Sequence, residues 1–160
     1  MATESKRELI IQNLKTTLEG INGSDPYWTD VRSVTRVNTL PTDFEGEEKP
    51  SLKIVLPGEQ ETNEPKHGYH DVRTMRIGIV GILDVQNNDE DFKGQAVNRF
   101  MKDVTVAVMA DVTRGAFSDT EKNASDTRKT YQQDLSNLFG DLGIFEMELA
   151  IRYHCEAKVE

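Results

Sequence analysis

The chain has 160 residues, with 19 Lys and Arg against 28 Asp and Glu, a formal net charge of −9 at pH 7. That length holds one domain, 1–160, and a domain of this size hides roughly two-thirds of its unfolded surface, so it needs no metal or disulfide to fold. The acidic balance argues against a grip on nucleic-acid phosphates, which requires clustered Lys and Arg, and against docking on an anionic membrane.

Ser5 followed by Glu8 fits a capping box, after which Leu9, Ile10, Leu14, Leu18 and Ile21 recur at helical spacing. Gly20 or Gly23 can supply a left-handed stop to this first helix. The β-branched Val31, Val34, Thr35 and Val37 predict a strand over 28–38, and an acidic connection follows at 41–50. Leu52, Ile54 and Leu56 alternate with Ser51, Lys53 and Val55 in a second strand that Pro57-Gly58 stops. Residues 57–70 carry Pro, Gly and Glu without apolar period and are expected to form a mobile loop.

In the next strand Met75, Ile77, Ile79, Leu83 and Val85 share one face, opposite Thr74, Arg76, Val80, Ile82 and Asp84. Its centre is apolar on both faces, so both are expected to be covered there. Gly78 and Gly81 leave room for a bulge or a close approach. Ala96, Val97, Phe100, Met101, Val104, Val108 and Val112 predict a second helix over 92–112, closed by Gly115. A second polar insertion follows at 118–133, within a connection of about 113–135. Phe145, Met147, Leu149, Ile151, Tyr153 and Cys155 then alternate with Glu146, Glu148, Ala150, Arg152, His154 and Glu156. Such a strand buries one face and leaves the other to solvent or a partner. The order predicts an α+β domain: a mostly antiparallel or mixed sheet of about four strands, two helices packed on it and two long polar loops.

A single cysteine, Cys155, excludes an internal disulfide and points to a reducing compartment. No apolar run approaches the roughly 20 residues that span a bilayer, and residues 1–7 lack the apolar core of a signal peptide. A soluble, cytosolic chain is therefore expected. His67, His70 and Asp71 are metal-ligand types, but they follow an acidic loop with no rigid scaffold, so a polar loop approaching a strand is the simpler reading. His154 and Cys155 are strand neighbours and point to opposite faces, which argues against a nucleophile–base pair. Glu146 and Glu148 lie side by side, and paired carboxylates can do acid–base work, yet a solvated charged face is the default. Walker, G-x-G-x-x-G, H-E-x-x-H and G-x-S-x-G motifs are missing. The expectation is a non-enzyme without catalytic, cofactor or metal residues.

The helix RELIIQNLKTTLEGI leading into DPYWTDVRSV, the strand TMRIGIVGILDV, the helix AVNRFMKDVTVAVMAD and the closing LGIFEMELAIRYHCEA together resemble the tail terminator (tail completion, minor tail) proteins of long-tailed bacteriophages. The resemblance covers most of the chain as an order of elements. It implies a subunit of a hexameric ring that caps the tail tube at its set length and then presents a surface to the neck. Implied partners are further copies of the chain, the tail tube protein and a head-completion or neck protein, with DNA passing through the lumen without specific binding. The implied location is the virion tail, assembled in the host cytoplasm. In this reading Glu59, Glu61, Glu64, Lys66 and Tyr69 belong to a partner-docking loop, while Arg76, Glu146, Glu148 and Arg152 line a subunit interface or the lumen. Two other readings are a head-side neck connector and a small α+β ligand-binding domain or enzyme with a pocket under loop 57–70.

Overall fold

From the N-terminus the elements are α1 (Lys6–Glu19), β1 (Ser33–Val37), β2 (Ser51–Val55), β3 (Thr62–Pro65), β4 (His70–Asp84), α2 (Glu90–Met109), β5 (Asp126–Asp134) and β6 (Leu142–Glu156). The computed structural model describes residues 4–39, 48–56, 62–65, 70–84, 90–136 and 142–156, with 62–65, 70–71, 90–92 and 155–156 described by their backbone. The result is the expected α+β domain. The long strands β4 and β6 pair antiparallel over their full length, from His70↔Glu156 to Asp84↔Leu142. β5 pairs antiparallel with the other side of β6, and β2 with the Gly78–Ile82 half of β4. β1 adds parallel to β2, so the sheet is mixed, in the order β1-β2-β4-β6-β5.

Six strands, rather than about four, form this sheet. Both additions fall where polar loops were expected. Within 57–70, β3 pairs with Asp71–Thr74 of β4 and so prolongs the row that β2 begins. Within 118–133, β5 forms the edge beside β6. A polar strand of this kind is held by its backbone ladder rather than by burial: from Arg128 to Asp134 its side chains are all exposed, and Thr127 alone in it is buried. Without an apolar face it has no period to read. β1 is also shorter than 28–38, and β4 begins five residues before Met75.

Both helices pack on one face of the sheet. Ile10, Ile11, Leu14 and Leu18 of α1 and Val97, Phe100, Val104 and Val108 of α2 meet Met75, Ile77 and Ile79 of β4 and the odd-numbered residues Phe145 to Tyr153 of β6. Among the described residues the side-chain alternation expected for β4 and β6 is the one observed; Val85 and the side chains of Cys155 and Glu156 lie outside them. The opposite face carries a smaller buried cluster, Val80, Ile82 and Ile144, with Val55, Leu135 and Leu142 against it. The centre of β4 is thus buried on both faces.

Gly81 has a specific task. It stands opposite Phe145 in the ladder, and a Cβ built on it would lie 2.1 Å from the Phe145 ring. The ring lies across the glycine and takes the edge of Phe100, with centroids 5.1 Å apart at 88°. One contact therefore joins β4, β6 and α2. Of the two expected options for Gly81, close approach is the one realised; the sheet's bulge lies in β5, between Lys129 and Tyr131.

The helix ends follow from their caps. Ser5 Oγ accepts the Glu8 N–H at 3.1 Å, which is one half of the capping box. The Glu8 carboxylate instead turns to Arg36 of β1, accepting from its two terminal nitrogens at 2.6 and 3.0 Å. Gly20 ends α1 with φ −77°, and the left-handed residue is Gly23, at +77°. Beyond α2, Arg114 (φ 54°) and Gly115 (φ 87°) are both left-handed. The buried Arg114 guanidinium donates to the Val108 and Asp111 carbonyls. A cation at the carbonyl end of a helix is favoured by the helix dipole. Burial lowers its pKa, and the Asp111 carboxylate opposes that shift. Among the described residues no helix is long and apolar enough to cross a membrane.

Two outcomes follow from these contacts. Gly81→Ala drives a methyl into the Phe145 ring and is expected to cost about 1–3 kcal/mol in urea unfolding. Gly78→Ala, whose Cβ would stand 3.3 Å from that of Val55, is expected to cost less. The Arg36 hydrogen bond lowers the Glu8 pKa below 4.5, against partial burial and with help from Gln12, the Arg36 charge and Arg7. A carboxylate with a lowered folded pKa stabilises above its unfolded value and loses that contribution as pH falls through the folded one. Glu8→Gln is therefore expected to remove less than about 1 kcal/mol at pH 7, the pair being partly solvent-screened, and to flatten the acid limb below about pH 4.5.

Candidate functional site

Even-numbered residues of β4 and β6 point away from the helices. The register sets Thr74 opposite Arg152, Arg76 opposite Ala150, Gly78 opposite Glu148 and Val80 opposite Glu146. Arg76 reaches diagonally to Glu148, donating at 2.8 Å. From β5, Thr130 Oγ1 donates to the same Glu148 oxygen at 2.8 Å, and the Tyr131 hydroxyl is shared between Gln133 and Glu146, the latter at 3.0 Å. The Tyr131 phenol has a raised pKa, first through desolvation and then because Glu146 accepts its proton and repels a phenolate. Three strands are thus laced by one row of polar side chains.

Of the residues singled out from sequence, Arg76, Glu146 and Glu148 come together here. Arg152 lies further along the same face, opposite Thr74 of β4 and Asp126 of β5. Glu64 falls in β3, opposite Val72; Glu59, Glu61, Lys66 and Tyr69 lie outside the described residues, as does His67. His70 and Asp71 begin β4, and Cys155 pairs with Asp71 through the backbone. Among the described residues no group of three or more His, Cys, Asp or Glu is placed to hold a metal. Glu146 and Glu148 are held by Tyr131, Thr130 and Arg76 on the face away from both helices, an arrangement suited to surface recognition.

Sequence reasoning missed a second site, at the turn between α1 and β1. A single oxygen of the Asp103 carboxylate accepts the backbone N–H groups of Trp28, at 3.0 Å, and Thr29, at 2.7 Å. Asp103 is 1% exposed. Arg99, one helical turn earlier, places its guanidinium 4.2 Å from the centre of the Trp28 ring. Trp28 nevertheless stays 62% exposed. It borders a cleft of about 390 Å³ shared with Arg32, Lys49, Leu83, Asp84 and Arg99. The cleft sits at the Asp84 end of β4, away from the end that β3 joins. One signal was available in the sequence: Asp103 follows Phe100 by three residues and precedes Ala107 by four. A carboxylate inside the apolar stripe of a helix needs buried donors.

Asp103→Ala leaves two backbone donors without their acceptor and is expected to cost about 1.5–3 kcal/mol. Trp28 is the only tryptophan, so its fluorescence anisotropy is expected to fall in the same variant as the turn loosens. Compared with known proteins, the chain matches no protein-family model and no curated protein.

Proposed function

We propose that the chain is a structural subunit of a long-tailed phage tail, a terminator-like protein without catalytic activity. It assembles into a ring, most simply a hexamer, that caps the tail tube, ends its polymerisation and offers a surface to the neck. The order of elements supports this reading through its resemblance to tail terminators. The observation that carries it furthest is the laced polar face of β4, β6 and β5, which lies opposite both helices.

Physical chemistry favours side-chain contacts over strand addition in such a ring. β5 meets solvent along one edge with charged and polar residues and a bulge, features that discourage pairing with another strand. A head-to-tail ring instead needs two unlike surfaces on each subunit. An acidic lumen would repel phosphates and let DNA pass without sticking, which suits a net charge of −9.

Electron microscopy and solution mass of the purified chain test this directly. Rings that bind tail-tube ends in fixed stoichiometry are expected. A chain that stays monomeric at high concentration and ignores tubes rules the reading out. Binding to head-completion protein in place of tube protein would reassign it as a head-side connector. Glu148→Arg, which sets like charges beside Arg76, is expected to abolish ring formation or tube binding. Its effect on folding should stay within about 1 kcal/mol, as for other exposed ion pairs.

A further inference from the structure

We propose that the Trp28 cleft seats a second copy of this chain, with the indole and the Arg99 guanidinium receiving an acidic part of the neighbouring subunit. The proposal rests on the ring reading above and names one of the two unlike surfaces that such a ring requires.

Trp28 is the most exposed of the large apolar side chains described, at 62%, ahead of Tyr131, Val106 and Phe117. It is also among the best anchored. Its N–H and that of Thr29 are tied to a buried carboxylate, and Arg99 backs its ring. A side chain fixed before docking loses little freedom on docking, so its buried area converts efficiently into affinity. Tryptophan and arginine are the residue types that most often dominate interface energetics.

Charge identifies the occupant. Arg32, Lys49 and Arg99 border the cleft against Asp30 and Asp84, and Asp30 is already paired with Arg32 at 2.8 Å. That pair cancels, which leaves Lys49 and Arg99 against Asp84, a net positive charge of one on a chain of net charge −9. Its electrostatic complement is the ordinary surface of another copy. The cleft lies between the start of β2, the end of β4 and α2, apart from the Glu146–Glu148 face. Contact between this cleft and an acidic surface elsewhere on the next copy is head-to-tail, the kind that closes rings.

The single tryptophan makes the test direct. Acrylamide quenching of the full chain is followed while it is concentrated from monomer into assembly. Quenching of Trp28 is expected to fall several-fold across the transition. Trp28→Ala and Arg99→Glu are expected to raise the concentration of half-assembly by about 30-fold or more, the size of an interface hot spot, and Arg99→Lys by less. Circular dichroism should show unchanged unfolding midpoints in Trp28→Ala, whose side chain is mostly solvated. Assembly with Trp28 as quenchable as in the dilute chain, or a Trp28→Ala chain that assembles normally, overturns this inference and leaves the ring reading intact. Protection that appears only when tube or neck protein is added reassigns the cleft to that partner and likewise overturns it. A chain that never assembles overturns both.

Discussion

The pairing of β4 with β6 is the constraint from which the other features follow. Fifteen consecutive residue pairs hold the two longest strands in one register, and a slip of one residue would turn every core side chain outward. Gly81 against Phe145 fixes that register sterically, because the ring needs a partner without a Cβ. With these two strands set, β2 and β3 divide the free side of β4 and β5 takes the free side of β6. The helices cover the odd-numbered face, which leaves Arg76, Glu146 and Glu148 on the other.

Much of this was legible because it rests on period. The two helices and the faces of β4 and β6 are written in spacings of apolar residues, and the nearness of Glu146 and Glu148 follows from strand geometry alone. β3 and β5 were not legible: Thr62–Pro65 carries no apolar alternation in sequence, and β5 buries only Thr127. The pairing of Arg76 with Glu148 was open for a related reason. It needs the register between residues 72 positions apart, which no local pattern supplies. Arg114 is a similar case: a guanidinium donating to carbonyls three and six residues before it is a local event, but its full burial depends on the surrounding fold.

The Trp28 turn lies between these extremes. Asp103 was visible as a carboxylate within an apolar stripe, but its donors are 74 and 75 residues away. Reading 28–38 as one strand hid them, because a strand would commit those N–H groups to a ladder. The true β1 begins only at Ser33. The preceding residues are free to turn, and Asp103 pins that turn to α2. Local propensity here yielded to a buried charge that had to be satisfied.

Burial also changes what the net charge of −9 means. Among the described residues the buried charged groups are Lys6, Lys53, Arg114 and Asp103, three cations and one anion. Lys6 bonds Glu121 and the His154 carbonyl beneath the Phe117 ring, and Lys53 donates to Thr35 at 2.9 Å. These cations tie elements together inside the fold, and Lys6 does so by pairing with the half-exposed Glu121. They are committed within one subunit, so the net charge of −9 is what one copy presents to another. On such a surface like charges repel between copies, and this keeps unassisted contacts weak and unselective pairing rare. In the proposed ring, contact between copies is then favoured where the sign reverses. Arg99 and Lys49 beside one anchored indole can set both the place and the orientation of that contact.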